Sequence, residues 1–255
     1  MKRILASTFF AAALAVAGPA SADGGNGNTQ HGSSPHGPPG NGDPCGDGNG
    51  VGRGNPCNSN NGNQNLNGNA GRANVEPHPF TISRPGNDRG AFITQIGDDN
   101  RATIAQSANT QFAFTKQGGD RNGADVTQGG NGDHYALIGQ FGDDNRIDLG
   151  QFGEGAQVAF LTQWGDANHM AIDQQGGSVS SGVLAVQLGD KNEMSLTQSG
   201  DNNQAALVQK GSGNEMNATQ TGGNNQLAWT QIGNDLSHAT VNQTGSQAIQ
   251  ITQTK

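Results

Sequence analysis

The sequence predicts an all-β chain: a flattened, two-sheet β-solenoid of about seven 22-residue strand-turn-strand coils, preceded by a disordered Gly/Asn-rich leader. Three observations predict it. A glutamine returns about every 11 residues over the second two-thirds of the chain. Apolar and polar residues alternate between the glutamines, and a Gly-x-x-Asn punctuation separates the alternating stretches.

The first segment is 1–22. Lys2 and Arg3 precede an apolar run from Ile4 to Ala17, followed by small residues at Ala20-Ser21-Ala22. This is the pattern of a secretory signal peptide with cleavage expected after Ala22, too short and too early for a spanning helix. No later run is apolar enough for a membrane helix, so no membrane span is expected. Loss of Lys2 and Arg3 takes the formal charge from -8 to -10. A chain that acidic is a poor partner for nucleic acid.

Residues 23–79 form the leader, rich in Gly, Asn and Pro with almost no apolar side chains. Such a segment buries too little surface to offset its ordering entropy, so it is expected to be disordered. It holds Cys45 and Cys57, which could close a small disulfide loop in an oxidising compartment or remain optional thiols. His31, His36 and His78 lack the spacing of a metal site.

Residues 80–255 carry the repeat. Two columns of glutamine emerge. The first is Gln95, Gln117, Gln140, Gln163, Gln187, Gln209, Gln231 and Gln253; the second is Gln106, Gln128, Gln151, Gln174, Gln198, Gln220 and Gln243. Nine of the 14 successive spacings equal 11 residues, and 13 of the 15 glutamines have glycine two positions later, so the period is not accidental. Asparagine follows five positions later at Asn100, Asn122, Asn145, Asn168, Asn192, Asn203, Asn214 and Asn225.

Within each unit the period is two. Asn100, Ala102, Ile104 and Gln106 share one face, as do Asn225, Leu227, Trp229 and Gln231. Alternation of this kind is a strand with one buried face. Gly-x-x-Asn is turn chemistry, with Gly and Asn expected to supply the positive φ. The residues after the first-column glutamines are more apolar than those after the second, so the full period is two units, about 22 residues. One coil cannot bury its apolar face alone, but stacked coils can. Buried amides would cost several kcal/mol unpaired. At a stacking distance of ~4.8 Å each can donate to one neighbouring coil and accept from the other, as structural amide ladders.

Asp98, Asp120, Asp143, Asp166 and Asp190 each follow a first-column glutamine by three positions and are expected to stack along one edge. Three readings are open: turn formers, a repulsive column that slows assembly, or a cation-binding edge. The repeat lacks the nine-residue glycine-pair pattern of calcium solenoids and the alternate acids of an EF-hand, so no metal is expected. No cofactor motif or nucleophile elbow occurs, and His134, His169 and His238 form no column with an acid and a nucleophile, so catalysis is not expected. Phe141, Phe152 and Trp164 fall in the outward register, as lateral contacts, stacking sites or plain surface aromatics.

The doubled unit Q-x-G-x-x-N-x-A over about residues 91–255, seen most fully in "GDNNQAALVQKGSGNEMNATQTGGNNQLAWTQIG", resembles the curlin repeat of curli fibre subunits. The resemblance implies a secreted bacterial subunit that self-assembles into extracellular amyloid fibres of the biofilm matrix. Implied partners are further copies of itself, a nucleating subunit and an outer-membrane secretion pore. The family often has Ser six residues before the first glutamine; here Ser181 fits that column, with Gln111, Asn203 and Asn225 elsewhere. The repeat runs on to Thr252-Gln253 without a capping helix, which favours templated strand addition over a closed monomer. A nucleator or minor subunit, a monomeric surface adhesin and a calcium-dependent solenoid are the alternatives.

Overall fold

The structure, a computed structural model, describes residues 79–236 and 239–255. The signal segment, nearly all of the leader, Cys45, Cys57, the three leader histidines and His238 lie outside the described residues. The described chain is all-β and contains no helix. Its strands are β1 (Gly90–Ile96), β2 (Arg101–Gln106), β3 (Phe112–Gly118), β4 (Gly123–Gly129), β5 (Tyr135–Phe141), β6 (Arg146–Gly153), β7 (Gln157–Trp164) and β8 (His169–Gly176). They continue as β9 (Ser181–Leu188), β10 (Glu193–Ser199), β11 (Gln204–Lys210), β12 (Glu215–Thr221), β13 (Gln226–Ile232), β14 (Ala239–Thr244) and β15 (Ala248–Thr254).

Odd strands form one eight-stranded sheet in the order β1-β3-β5-β7-β9-β11-β13-β15, and even strands form a seven-stranded sheet from β14 to β2. Every neighbouring pair is parallel and in register, so Gln95 lies on Gln117 and Gln106 on Gln128. The result is a β-solenoid of about seven turns, two arcs to a turn. The parallel pairing follows from the repeat: a strand of one coil meets the equivalent strand of the next, never its own neighbour in sequence.

The core is a thin layer between the sheets. From the odd sheet come Ala113, Ala136, Ala159 and Val183, followed on the same faces by Ile138, Leu161, Leu207 and Trp229. From the even sheet come Ile147, Met170, Met194 and Met216 in one register row. Each fully buried Ile, Leu or Met side chain contributes roughly 1.5–3 kcal/mol. Trp229, expected inward from its frame, is fully buried.

Two edges join the sheets. The first edge, from odd to even strands, turns through residues such as 97–100 and 119–122. Four of its glycines, Gly97, Gly119, Gly142 and Gly165, have φ between 107° and 112°. A Cβ on any of these four would collide with the carbonyl oxygen of the equivalent glycine one coil on. The second positive φ falls on Asp99, Arg121, Asp144, Ala167 and Lys191. The asparagines that follow keep ordinary φ, contrary to the sequence expectation. Their side chains are committed elsewhere.

Candidate functional site: amide ladders and end strands

The first-column glutamines form one continuous ladder. Gln95 Nε2 donates to Gln117 Oε1 at 2.7 Å, and the same bond joins each residue to the next, ending with Gln231 Nε2 on Gln253 Oε1 at 2.8 Å. The second column repeats this from Gln106 on Gln128 (2.8 Å) to Gln220 on Gln243 (2.7 Å). A buried amide is tolerated because its polar atoms are bonded.

Each Nε2 carries a second hydrogen, and most send it across the core. Gln117, Gln140 and Gln163 donate to the carbonyls of Arg101, Gly123 and Arg146 at 2.9–3.0 Å, on the even sheet. Gln128 and Gln220 donate in the opposite sense, to Phe112 and Gln204 of the odd sheet. The ladder therefore bonds along the stack and between the sheets at once.

Six of the asparagines, Asn100, Asn122, Asn145, Asn168, Asn192 and Asn214, stand on the first edge. The backbone N–H of Asn122 donates to Asn100 Oδ1 at 2.9 Å, and the pattern recurs up to Leu236 N–H on Asn214 Oδ1 at 3.1 Å. Their Nδ2 groups donate to the turn glycine carbonyls of the following coil, as Asn145 does to Gly165 O at 2.7 Å. Asn203 and Asn225 occupy the second edge, in a mixed column with Gln111, His134, Gln157, Ser181 and Gln247.

Sequence reasoning missed His134 and Gln157 as members of that column. Both stand six residues before a first-column glutamine, which was the available signal. His134 is fully buried. Its Nε2 donates to Gly129 O at 2.8 Å, and its Nδ1 accepts the Gln157 N–H at 3.2 Å. Burial pushes the imidazole below its ordinary pKa, opposed by the Gly129 carbonyl and Asp133.

The five aspartates stack on the first edge, and Asp120, Asp143, Asp166 and Asp190 each accept a backbone hydrogen bond from the coil before. Asp98 N–H donates to Asp120 Oδ1 at 2.8 Å, and Asp166 N–H to Asp190 Oδ1 at 2.9 Å. Beside them Arg121 grips Asp144 with two bonds of 2.7 and 2.8 Å. That contact holds the Asp144 carboxyl below its ordinary range and raises the guanidinium. Both side chains are half exposed, so the pair adds little stability.

Phe152 and Trp164 are exposed, and Phe141 lies 5.4 Å from Trp164, ring to ring. Tyr135 and Phe112 stack at 4.8 Å on the outer face of the odd sheet, with Ile82 packed against their cluster and Arg84 5.6 Å from the centre of the Tyr135 ring. Burial first, then Asp88, raises the Tyr135 phenol above its ordinary pKa, while Arg84 opposes the shift. Among the described residues no His, Cys, Asp or Glu cluster of metal-binding form occurs, and no helix is long and apolar enough to cross a membrane.

The end strands differ from the interior. β1 is almost wholly exposed, with Ile96 at 66% and Ile93 at 45%. At the other end Ile249 and Ile251 of β15 are only partly buried.

The model of the Curlin associated repeat matches the chain twice, over residues 119–153 and 189–222. No curated protein and no solved structure matches it. Each matched stretch opens on a first-edge glycine, Gly119 or Gly189, and takes in three strands, β4–β6 in one case and β10–β12 in the other. The same strands, turns and amide positions recur in the coils between and around them, and the chain carries the curlin associated repeat over the two matched stretches.

Proposed function

We propose that the chain is a structural subunit that assembles by templated addition of parallel strands into extracellular, curli-like amyloid fibres. The observation that carries this reading is the uniform direction of the ladders. Every ladder bond runs from the Nε2 of one glutamine to the Oε1 of the glutamine in the following coil. At the β1/β2 end, Gln95 and Gln106 therefore present Oε1 acceptors with no glutamine donor among the described residues. At the other end Gln253 presents an Nε2 donor. The two faces are complementary for copies stacked in the same direction and mismatched for copies stacked head to head.

The outer strands add unpaired backbone groups and exposed apolar side chains to the same surfaces. An incoming copy satisfies all three. Self-assembly, secretion, adhesion within a biofilm matrix, a nucleating subunit and an outer-membrane pore as partners all belong to this reading. So does the absence of catalysis, in keeping with a repeat and fold of structural kind.

An amyloid-dye time course on the purified chain, with and without a chelator, tests it. The expected result is a lag, seeded growth, indifference to the chelator, and fibre diffraction at the ~4.8 Å inter-strand spacing. A chain that stays monomeric at high concentration for days overturns the reading.

A further inference from the structure

Among the described residues the solenoid has an odd number of strands. Eight lie in the odd sheet and seven in the even sheet. The first strand, β1, and the last, β15, both belong to the odd sheet. At two strands to a coil, fifteen strands make seven and a half coils. Every junction between stacked copies must therefore accommodate a half-coil.

Two arrangements keep the strands parallel and the ladders running one way. In the first, each copy is shifted along the axis without rotation. β1 of the incoming copy pairs with β15, and Gln95 stands over Gln253. The even sheet then fails to close. β2 arrives two inter-strand steps from β14, about 9.6 Å. Gln243 and Gln106 cannot bond across that distance. The facing backbone edges of β14 and β2 are left without partners among the described residues, an expensive state for groups inside a stack.

In the second arrangement each copy is also rotated by half a revolution about the axis. β1 enters the even sheet over β14, and β2 enters the odd sheet over β15. Odd and even strands cross the solenoid in opposite directions, so the half-turn keeps every new pair parallel. Aligned on the glutamines, Gln95 lies over Gln243 and Gln106 over Gln253. Inside, Ile93 meets Val241 and Ile104 meets Ile251, so apolar side chains left exposed or half-buried at the ends gain cover. Gln243 Nε2 already donates to Gln226 O at 2.8 Å and Gln247 O at 3.2 Å. Interior Gln151 makes the same two kinds of contact and still reaches Gln174 Oε1 at 2.9 Å. Both sheets close, and both ladders continue.

We propose that successive copies in the fibre are related by this half-turn, with a rise of about 36 Å per copy. The inference rests on the fibre reading above and deepens it by naming how one copy seats on the next. The two edges exchange places at each junction: the first-edge turn 97–100 of the incoming copy follows the second-edge turn 245–247. Each flank of the fibre then alternates the outer face of the odd sheet, which carries Leu137, Phe160 and Leu184, with that of the even sheet, which carries Asp125 and Asp148.

The experiment uses the full secreted chain with Cys45→Ser and Cys57→Ser, so that no other thiol is present. One variant adds Thr94→Cys and Asn242→Cys, the other Thr94→Cys and Thr252→Cys. All three positions are exposed on outer faces. In the half-turn stack, position 94 lies ~4.8 Å from position 242 of the adjoining copy, within disulfide reach, and position 252 is on the opposite flank. In the unrotated stack these relations are exchanged. Fibres are grown under reducing conditions, oxidised, dissolved in denaturant and resolved without reductant. The expected result is covalent multimers from the 94/242 pair and roughly tenfold fewer from the 94/252 pair. The reverse ranking, or equal yields, overturns the half-turn. Fibres that grow normally yet yield multimers from neither pair also overturn it, because another strand then fills the junction. A wild-type chain that forms no fibres defeats the fibre reading itself, a distinct outcome.

Discussion

The two edges of the solenoid are built from the same kinds of residue, yet they obey different rules. Six of the seven described first-edge turns have four residues between strands, as at 119–122 and 165–168. Second-edge turns vary from three residues (154–156) to five (107–111). The first edge carries an uninterrupted asparagine column, each member bonded to the one above and below. The second edge is capped by a mixture of glutamine, histidine, serine and asparagine. A column of identical groups admits one geometry only, whereas mixed caps of different length allow the turn to vary. Regularity on one edge is what lets the other accept insertions.

The strongest way to break this comparison is to change turn length. Insertion of one glycine between Asp166 and Ala167 displaces Asn168 from its column and severs its bonds to Asn145, Gly189 and Asn192. The expected loss is several kcal/mol, with the adjoining coils melting in urea followed by circular dichroism. The same insertion between Ser178 and Val179 should change stability by about 0.5 kcal/mol or less, since closure entropy grows slowly with loop length. Equal losses at both sites would end the distinction.

Point substitution sharpens it. Asn168→Ala leaves the Gly189 carbonyl and the Asn192 N–H without their partner and should cost about 2–4 kcal/mol. Ser181→Ala removes the acceptor of the Asn203 N–H, held at 3.1 Å, and should cost about 1 kcal/mol.

A smaller effect is confined to the second edge. His134 is held neutral by burial, with Nδ1 accepting from a backbone N–H. Its folded pKa lies below its unfolded value, so the unfolded chain binds the proton more readily. Its contribution is fully present above about pH 6.5 and is lost as pH falls through the folded pKa. The thermal midpoint should decline over that window in the wild type and less in His134→Gln. A first-edge variant such as Asp143→Asn should keep the His134-dependent decline.

The smallest expected effect belongs to the aspartate column. Replacing all five by Asn keeps an acceptor for each backbone N–H while removing adjacent like charges, so assembly should quicken modestly and respond less to added salt. A salt response unchanged from wild type would discard the idea that these charges restrain growth.

What was legible in the sequence was whatever repeats. Gln95 to Gln253 and the alternation between them specified strands, facing and parallel stacking, because a side-chain period of two leaves one buried face. The role of the asparagines was only half legible. Gly-x-x-Asn reads as a turn in which Asn takes the left-handed conformation, but here Asp99, Arg121, Asp144, Ala167 and Lys191 take it and Asn supplies the column. A local rule cannot see a partner one coil away. His134 became readable only once register set it against Gln157. The contacts of Ile82 and Arg84 were invisible for the opposite reason: both residues lie outside the repeat, and their partners, Gln204 Oε1 and the Asp133 carbonyl, are fixed by the third dimension alone.

The bonds that run from the glutamines of one sheet to the carbonyls of the other have a mechanical consequence. Two unconnected sheets under load slide past each other and bend as separate thin plies. Rivets at nearly every turn forbid that slip, so the solenoid flexes as a single thick beam. Stiffness on the scale of the whole molecule is thus decided by the second hydrogen on a side-chain amide.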